Sequence, residues 1–395
     1  MICNEFQGKQ LSRLGFGAMR LPVMGDGSIN VPLTREMVAV AIKNGVNYFD
    51  TAYPYHGGMS EVVMGDILSE YPRDSYYLAT KYPGHQIAKE YHPNEIFEEQ
   101  LKKCKVDYFD FYLLHNVYEK SIDNYKDPKW GIVDYFIEQK KMGRIKHLGF
   151  SCHGGVDVIN EFLDLYGEHM EFCQIQLNYL DWTLQKAKEK YELLTSRGVA
   201  VWVMEPVRGG KLANLPESDR KKLQELRPQE SIASWCFRFL LRLPNVKMIL
   251  SGMSDMEQVV DNIKTFSVDR PISDFEEKVL YEIADNLKAG VPCTACRYCV
   301  EGCPKGLDIP KLLALRNEFI ISPTNLITTM QVESLAEDKR PDACVGCGAC
   351  AKVCPQNINI PEELKKLDVT FKGLPSWEEI CRKRNEENQK IKEQK

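Results

Sequence analysis

Apolar and polar residues alternate with two different periods between Leu14 and Phe266 of the 395-residue chain. Short runs rich in β-branched and aromatic residues, typical of buried strands, are followed by longer stretches with apolar residues at helical spacing. Eight strand–helix units are predicted, and this alternation is typical of a parallel sheet covered by helices. The predicted strands are Leu14–Met19, Asn47–Ala52, Tyr76–Lys81, Asp110–His115, His147–Cys152, Phe172–Asn178, Ala200–Pro206 and Lys247–Gly252.

Several predicted helices have boundaries marked by capping residues or prolines. Thr34–Asn44 begins at a threonine cap, Pro93–Cys104 begins at a proline, and Ser231–Leu243 ends before a proline. One more helix is predicted over Ser273–Lys288, after the eighth unit. Ahead of the first helix, the segment Gly25-Asp26-Gly27 between apolar flanks indicates a hairpin turn.

Eight parallel units fit a closed (β/α)8 barrel, an α/β fold that typically takes roughly 250 residues. An open doubly wound sheet is the alternative, and it would carry the fingerprint G-x-G-x-x-G after its first strand. Gly15 and Gly17 lack the third glycine of that fingerprint. The barrel is therefore the favoured fold, and functional groups are expected where its strands end.

Two cysteine runs follow the predicted barrel, each with the spacing C-x2-C-x2-C-x3-C-P. In two-cluster ferredoxins this spacing holds [4Fe-4S] clusters, and the fourth cysteine of each run binds the other cluster. Two alternatives to iron–sulfur clusters are zinc ribbons and a disulfide scaffold. Zinc ribbons usually separate two cysteine pairs by a longer span, and disulfide scaffolds belong to short secreted chains. Two [4Fe-4S] clusters are therefore predicted, one held by Cys293, Cys296, Cys299 and Cys354, the other by Cys344, Cys347, Cys350 and Cys303.

The length of the chain favours one large domain followed by a small one. A helical pattern over Ile309–Phe319, between the two cysteine runs, predicts that the small domain is ferredoxin-like and mostly α-helical. The predicted organisation is a barrel over residues 1–285, an iron–sulfur domain over 286–375 and a charged tail over 376–395. The tail is expected to form a solvated helix that frays.

Charge and composition exclude some classes of partner. Lys and Arg total 51 against 56 Asp and Glu, so there is no basic field to attract nucleic acid. The chain has no long apolar run and no secretory signal, which predicts a cytoplasmic protein without a membrane partner. The cysteines outside the two runs show no pairing pattern and are expected to be free thiols in a reducing compartment: Cys3, Cys104, Cys152, Cys173, Cys236 and Cys381.

Titratable residues stand at the ends of three successive predicted strands. Asp50 and Tyr55 end or follow the second strand, Lys81 ends the third and His115 ends the fourth. Directed into one pocket, these groups are suited to carbonyl reduction. Tyr55 is expected to donate a proton, with its pKa lowered by Lys81, while Asp50 holds Lys81 as an ion pair. His115 is expected to orient or polarise the substrate oxygen.

The chain resembles the aldo/keto reductase family from about residue 10 to about residue 270. The resemblance rests on the motif D-T-A-x-x-Y from Asp50 to Tyr55, on Lys81 at a strand end, and on D-Y-x-D-x-Y-L-L-H over Asp107–His115. It implies a catalytic tetrad of Asp50, Tyr55, Lys81 and His115. It also implies reduction of aldehydes or ketones with NAD(P)H, without metal or flavin. The implied cofactor contacts are Ser151 and Gln174 at the nicotinamide, and Ser251, Gly252, Gln258 and Asn262 in the last βα loop.

Three departures from the family pattern affect substrate and cofactor binding. His56 stands where a glycine is common, so the loop beside the catalytic tyrosine is expected to differ in shape. Cys152 replaces the asparagine that helps to hold the carboxamide. The last βα loop lacks the Lys and Arg that bind the adenosine 2′-phosphate, for which Lys264 or Arg208 are the available substitutes. NADH is therefore predicted to be used at least as readily as NADPH.

Three interpretations of the whole chain remain open at this point. In the favoured one, both domains take part in turnover, and the clusters exchange electrons with a ferredoxin-type partner or a bound cofactor. The second is a plain NAD(P)H carbonyl reductase with structural or redox-sensing clusters, and the third is a non-catalytic electron carrier. A flavin in the barrel mouth is an open alternative, because such sites leave little sequence trace. The remaining histidines are interpreted as ordinary, with His153 the most interesting since it follows the nicotinamide contact: His85, His92, His147, His153 and His169.

Overall fold

The computed structural model describes residues 1–287, 290–291, 293, 297–322, 324, 326–354 and 356–393. Two compact units are present, one built mainly on Met1–Val279 and the other on Leu280–Glu386. The predicted domain limits at residues 285 and 375 remain predictions. Cys296 and Pro355 of the predicted cluster motifs lie outside the described residues.

Within the fully described segment 1–287, eight parallel strands close into a barrel in the order β10-β3-β4-β5-β6-β7-β8-β9. This confirms the predicted (β/α)8 fold and excludes the open doubly wound sheet. Each predicted strand overlaps an observed one, because buried apolar runs mark barrel strands well. The strands are β1 (Cys3–Phe6), β2 (Lys9–Ser12), β3 (Leu14–Gly17), β4 (Tyr48–Asp50), β5 (Tyr77–Tyr82), β6 (Phe109–Val117), β7 (Ile145–Cys152), β8 (Phe172–Gln176), β9 (Ala200–Met204) and β10 (Val246–Gly252).

The predicted helices are also present, with one corrected boundary. The first helix begins at Val31 and not at Thr34, because the side chain of Asn30 caps it by accepting a hydrogen bond from Leu33 N. The helices of this segment are α1 (Val31–Lys43), α2 (Met59–Leu68), α3 (Pro93–Cys104), α4 (Ser121–Lys126), α5 (Ile132–Lys141), α6 (Val156–Tyr166), α7 (Asp181–Leu184), α8 (Ala187–Ser196), α9 (Glu217–Leu226), α10 (Ile232–Leu241), α11 (Met256–Phe266) and α12 (Asp274–Leu287).

An N-terminal hairpin that the sequence pattern did not predict closes one end of the barrel. Strands β1 and β2 pair antiparallel, and Phe6 at the end of β1 is buried with Trp202 and Phe111 inside the barrel. The Phe6 and Trp202 ring centres lie 4.9 Å apart. The same cluster contains Phe172 and Ala200, the first residues of β8 and β9, so the hairpin covers the N-terminal ends of the barrel strands and the opposite end is left for chemistry. The predicted turn at Gly25–Gly27 is present, between the bridged residues Val23 and Ile29.

The second unit is mostly helical, as predicted, and its two halves repeat the same backbone pattern. Arg297 and Gly348 both have positive φ ahead of the short helices that carry Cys299 and Cys350. The longer helices α14 and α17, which follow the two cysteine runs, both carry a proline in their first turn and share one apolar core. The helices are α13 (Tyr298–Glu301), α14 (Ile309–Ile321), α15 (Leu326–Glu333), α16 (Ala349–Lys352), α17 (Ile360–Lys372) and α18 (Trp377–Glu393).

The predicted tail helix is α18, but its first turns are not solvated on all sides. Trp377 and Cys381 are buried, and Trp377 N donates a hydrogen bond to Glu333 Oε1 at 3.0 Å. Among the described residues, no helix combines the length and the apolar composition that a membrane span requires.

Candidate active site and cysteine cavity

The centre of the site is an ion pair buried between two neighbouring strands. Asp50 ends β4 and Lys81 lies near the end of β5, the strand that pairs with β4. Lys81 Nζ donates to Asp50 Oδ1 at 2.5 Å and to Thr51 O at 2.8 Å, and both charged side chains are almost completely buried. Burial lowers the pKa of Lys81, but Asp50 and Tyr55 outweigh it and raise that pKa above its usual value. The ammonium is therefore charged at neutral pH.

Tyr55 lies beside this ammonium, on a tight turn. Its ring centre is 5.0 Å from Lys81 Nζ. Burial raises the pKa of the Tyr55 phenol, and the lowering by Lys81 only partly offsets it. Lys81 thus lowers the pKa of Tyr55 as expected from the sequence, but the removal of the phenolate from water outweighs the attraction of this one cation, so the net shift is upward. The phenol keeps its proton at neutral pH.

The turn that carries Tyr55 has an unusual backbone. His56, Gly57 and Gly58 all have positive φ, at 51°, 61° and 85°. A left-handed conformation explains why glycine suits the position of His56, and a histidine there bears strain of about 1–2 kcal/mol. Its ring nitrogen Nε2 accepts a hydrogen bond from Leu21 N at 3.2 Å, which fixes the turn.

His115 lies in β6, next to β5, and faces Tyr55. The two ring centres are 5.9 Å apart and nearly perpendicular. The backbone oxygen of His115 accepts a hydrogen bond from the Tyr125 hydroxyl at 2.7 Å. A second imidazole, that of His85, lies against His115 with 4.3 Å between ring centres. The four residues expected from the sequence are thus gathered at the C-terminal ends of neighbouring strands, together with a histidine that the sequence did not single out.

The two expected nicotinamide contacts are neighbours across strands β7 and β8, where Ser151 pairs with Gln174 in the parallel register. Both side chains are buried. Ser151 Oγ accepts a hydrogen bond from Asn116 N at 2.8 Å. Gln174 Oε1 has no hydrogen-bond partner among the described residues. A buried carboxamide oxygen without a partner at this end of the barrel fits a ligand that donates an N–H, as a nicotinamide carboxamide does.

Cys152 takes no part in this pair of contacts. It is buried, it follows Ser151 on the strand, and its Sγ lies 3.8 Å from Gly154 O. Burial raises the pKa of the Cys152 thiol to about 12, so it remains a neutral thiol. For His153, burial and the nearby Lys190 lower the pKa to about 3, so this imidazole is neutral as well.

The last βα loop, in which the Lys and Arg expected from the family resemblance are missing, contains an acidic side chain. Asp255 caps α11 by accepting hydrogen bonds from Gln258 N at 2.8 Å and Gln258 Nε2 at 2.7 Å. Gln258 in turn accepts from Ser254 N at 2.9 Å. Asn262 Nδ2 donates to Ser251 Oγ at 2.9 Å, and both residues are buried. Hydrogen bonds among its own polar side chains therefore fix the conformation of the loop, which contains the carboxylate of Asp255.

The two cations considered as substitutes in this region are directed elsewhere. Arg208 is buried and paired with Asp181, with Nε 3.2 Å from Oδ1. Lys264 Nζ donates to Gln229 O at 3.2 Å. These contacts oppose their use as a clamp for a 2′-phosphate.

Four cysteines surround one cavity in the second unit. Cys303 of the first run lines this cavity together with Cys344, Cys347 and Cys350 of the second run. This is the crossed set expected from the motif, and apolar residues of the shared core complete the lining. Of the other expected set, Cys299 is buried in that core, and Cys293 and Cys354 pack against it.

Among the described residues, no group of three His, Cys, Asp or Glu side chains converges on a single metal ion. Nor does any described cysteine form a disulfide. A four-iron cluster binds each thiolate through a different iron, so its ligands surround a volume and need not converge on one point. The cavity therefore fits a cluster better than a lone zinc ion.

Comparison with known proteins agrees with this geometry. The model of the aldo/keto reductase family matches residues 13–279, and the model of the 4Fe-4S dicluster domain matches residues 292–358. The NADH-specific methylglyoxal reductase of Escherichia coli is 26% identical over 326 residues, which cover 70% of this chain and 96% of that protein.

Two solved structures illustrate the shared fold. The holo form of the aldo-keto reductase AKR11C1 from Bacillus halodurans superposes with a TM-score of 0.56 and 25% identity, covering 70% of this chain and 93% of that one. An aldo-keto reductase from Klebsiella pneumoniae in complex with NADPH gives 0.56 at 19% identity, again covering 70% and 93%. The chain is an oxidoreductase that belongs to the aldo/keto reductase family and carries a C-terminal 4Fe-4S dicluster domain.

Proposed function

We propose that the barrel reduces the carbonyl group of a small molecule with NAD(P)H, and that Asp50, Tyr55, Lys81 and His115 are its catalytic residues. The observation that carries this proposal is the buried Lys81–Asp50 ion pair with the Tyr55 ring 5.0 Å from the ammonium. A buried cation beside a phenol has no evident structural purpose in an apolar barrel wall, whereas it suits acid catalysis because it stabilises the phenolate left after proton donation.

Each side chain has a distinct task in this proposal. Tyr55 gives its proton to the carbonyl oxygen as negative charge develops there, and its raised pKa ensures that the proton is present at neutral pH. Lys81 stabilises the phenolate left behind, because its ammonium is held next to the ring by Asp50. His115 lies within reach of the same oxygen and fixes its position.

Ser151 and Gln174 are the residues that would hold the nicotinamide, which supplies the hydride for the carbonyl carbon when it is bound. Within the last βα loop, Ser251, Gly252, Gln258 and Asn262 would contact the rest of the nucleotide. NADH is the expected nucleotide, because Asp255 places a carboxylate in that loop and would repel a 2′-phosphate. The name of the Escherichia coli relative, an NADH-specific reductase, supports the same choice.

The test of this proposal is the Tyr55→Phe variant, with Tyr53→Phe as its matched control. The Tyr53 hydroxyl lies two residues away but is directed at Glu99, at 3.3 Å, and has no place in the proposed site. Tyr55→Phe should lower kcat for NADH-dependent aldehyde reduction by at least about 100-fold, the usual contribution of general acid catalysis. Tyr53→Phe should stay within about threefold of the wild type. Unchanged turnover in Tyr55→Phe would refute the assignment and favour the electron-carrier interpretation.

We further propose that the second unit holds two [4Fe-4S] clusters and exchanges electrons with a ferredoxin-type partner. The set of Cys303, Cys344, Cys347 and Cys350 around one cavity supports the first part of this proposal. The second is supported by the exposure of Cys347 and of its neighbour Val345, since electron transfer requires a cluster near the surface. Bound clusters supply single-electron chemistry that the barrel residues lack.

Replacing Cys347 by Ser separates this relay from the structural alternative. With a reduced viologen as one-electron donor, and NAD⁺ as the bound acceptor that takes two electrons and one proton to become NADH, the variant should lose viologen-dependent aldehyde reduction and keep the NADH-dependent reaction. Cys236, buried in α10 of the barrel, provides the control Cys236→Ser, which should keep both reactions. If the wild type shows no viologen-dependent reaction, or Cys347→Ser retains it, the clusters are structural or sensing groups and the relay is refuted.

A further inference from the structure

A β-bulge lies at the end of β6, beside the proposed nicotinamide contacts. Two residues of β6, His115 and Asn116, lie opposite the single residue Ser151 of β7, between the paired positions Leu114–Phe150 and Val117–Cys152. Asn116 has a left-handed backbone, with φ at 54°. Bulges of this kind bend a strand and redirect its polar groups, and they are common next to active sites. This one separates the residue proposed to contact the carbonyl oxygen from a residue proposed to contact the nicotinamide.

The bulge makes two hydrogen bonds to the end of β7 through Asn116. Asn116 N donates to Ser151 Oγ at 2.8 Å, and Asn116 Oδ1 accepts from His153 N at 3.3 Å. In a regular parallel pair, the N–H groups of one strand donate to backbone carbonyls of its neighbour. The left-handed residue instead directs its N–H to the side chain of Ser151.

On its other side, the bulge is held by α4. Ser121 Oγ donates to Asn116 O at 2.7 Å, and the Tyr125 hydroxyl donates to His115 O at 2.7 Å. Both backbone carbonyls of the bulge therefore have partners outside the sheet, as buried carbonyls require. A non-glycine residue with positive φ persists only where its surroundings determine it, and such residues are concentrated at functional sites.

The bond from Asn116 determines which role the Ser151 hydroxyl can take. Ser151 is 2% exposed, and its hydroxyl donates to no acceptor in the part of the chain that the structure describes. Since the oxygen already accepts from Asn116 N, the hydroxyl proton remains for a ligand. Gln174, its neighbour across the β7–β8 register, offers the acceptor Oε1. A carboxamide has an oxygen and an N–H, so this donor and this acceptor match its two sides.

We propose that Asn116 is a positioning residue for the nucleotide, whose left-handed backbone fixes the Ser151 hydroxyl as the donor to the nicotinamide carboxamide oxygen. Cys152 cannot share this task, because its thiol is directed at Gly154 O. The same bulge carries His115, so one backbone feature sets both the carbonyl contact and the nicotinamide contact. This inference rests on the proposed binding of NAD(P)H and refines it.

The test compares NADH with reduced thionicotinamide adenine dinucleotide, in which sulfur, a weak acceptor, replaces the carboxamide oxygen. Calorimetric titration of the full-length protein, purified anaerobically, gives the ratio of the two dissociation constants without requiring turnover. The wild type should bind NADH at least about fivefold more tightly, the effect of one hydrogen bond. In Asn116→Val the preference should fall to about twofold or less, because a β-branched residue disfavours the left-handed backbone.

Asn116→Gly should retain the preference for NADH. Both variants lose the side-chain bond to His153 N, so the difference between them isolates the backbone and its N–H. Ser151→Ala removes the donor and should abolish the preference. Lys105→Val is the matched control, since Lys105 also has φ at 54° but lies at the exposed C-cap of α3, and it should match the wild type.

A merely structural role for Asn116 would weaken the binding of both nucleotides equally and leave the ratio unaltered. An unaltered ratio in Asn116→Val, with a lost preference in Ser151→Ala, would overturn the inference and leave the Ser151 contact intact. An equal loss of preference in Asn116→Gly and Asn116→Val would overturn it as well. If Asn116→Val fails to fold, Asn116→Ala against Asn116→Gly gives the same contrast, since only glycine adopts this backbone freely.

Two results for the wild type separate this inference from the proposal on which it rests. Equal affinity for NADH and the analogue would refute the donation from Ser151 and the inference with it. Failure to bind either nucleotide would refute the proposed function itself, an outcome distinct from any change in the ratio.

Discussion

Removal of the Lys81 ammonium by the substitution Lys81→Met leaves the Asp50 carboxyl group inside the barrel wall without its counter-charge, so that it must either stay ionised unpaired or take up a proton. The two side chains are 0% and 4% exposed, so water cannot replace the lost partner. Breaking a buried ion pair in this way destabilises proteins by about 3–5 kcal/mol. Methionine fills most of the space of the lysine stem, so the loss of packing contributes little. The free energy of unfolding of the barrel should therefore fall by about 3–5 kcal/mol at pH 7.

The penalty should depend on pH with a definite sign. Without Lys81, burial raises the pKa of Asp50 further above its unfolded value of about 3.9. The folded variant then binds a proton that the unfolded chain has released. The destabilisation therefore grows as the pH rises above about 4, by up to about 1.4 kcal/mol per pH unit, until Asp50 ionises in the folded state. Between pH 7 and pH 5 the difference from the wild type should shrink by about 2 kcal/mol.

The assay is urea unfolding under anaerobic conditions, followed by tryptophan fluorescence, since Trp202 and Trp235 are buried in the barrel. The double variant Asp50→Asn with Lys81→Met removes the stranded charge and should recover at least half of the lost stability. Both variants should remain at least about 100-fold less active in aldehyde reduction, because the phenolate of Tyr55 has lost its cation. A penalty that does not change with pH, or a double variant no more stable than Lys81→Met, would refute this reasoning.

Three further predictions concern the cofactor loop, the tyrosine turn and the clusters. Asp255→Asn keeps an oxygen to cap α11 but removes the negative charge. In initial-rate measurements KM for NADPH should therefore fall about two- to fivefold, while KM for NADH should not change. An equal change in KM for both nucleotides would contradict the role of the charge. His56→Gly should change the free energy of unfolding by less than about 1 kcal/mol, because relief of the strain in the left-handed backbone offsets the lost hydrogen bond with Leu21 N. His56→Val should lower the free energy of unfolding by about 1–2 kcal/mol. Urea unfolding midpoints test both variants, and a valine variant as stable as the wild type would contradict the strain. Removal of iron with a chelator under oxidising conditions should abolish the calorimetric unfolding transition of the second unit, because Cys299 and Cys350 belong to the apolar core of this second unit. The unfolding transition of the barrel should remain. An unaltered transition of the second unit would show that its core is stable without metal.

Much of the barrel could be predicted from sequence because its strands are buried on both faces and form short, continuous apolar runs. The N-terminal hairpin could not, since its strands are four residues each and only Phe6 and Leu11 carry the apolar signal. The boundary of α1 was misplaced although a signal existed. The proline at position 32 marks the first turn of a helix and points to Asn30 as the cap.

The candidate active site was also predicted only in part from the sequence. The motif residues Asp50, Lys81 and Tyr55 are close in the fold because successive barrel strands are neighbours, which sequence order already implies. The net pKa shift of Tyr55 depends on how deeply its ring is buried, and no local pattern contains that information. The contact between the rings of His85 and His115 was not predicted, and the reason is related: the His85 ring lies in a loop whose position depends on distant residues. Its loop is placed by Tyr125 and Asn124, residues some forty positions away in the chain.

The most direct test of the account is the pH dependence of the single-turnover rate of aldehyde reduction with NADH, because it reports the proton donor without product release. If Tyr55 is the donor, the rate should stay level through neutral pH and fall only above pH 10.0, the ordinary pKa of a tyrosine, since burial raises its value further. In Tyr55→Phe the residual rate should be low and should show no such fall. A wild-type rate that falls near pH 7, or a Tyr55→Phe variant with the full rate and the same alkaline fall, would contradict the central claim.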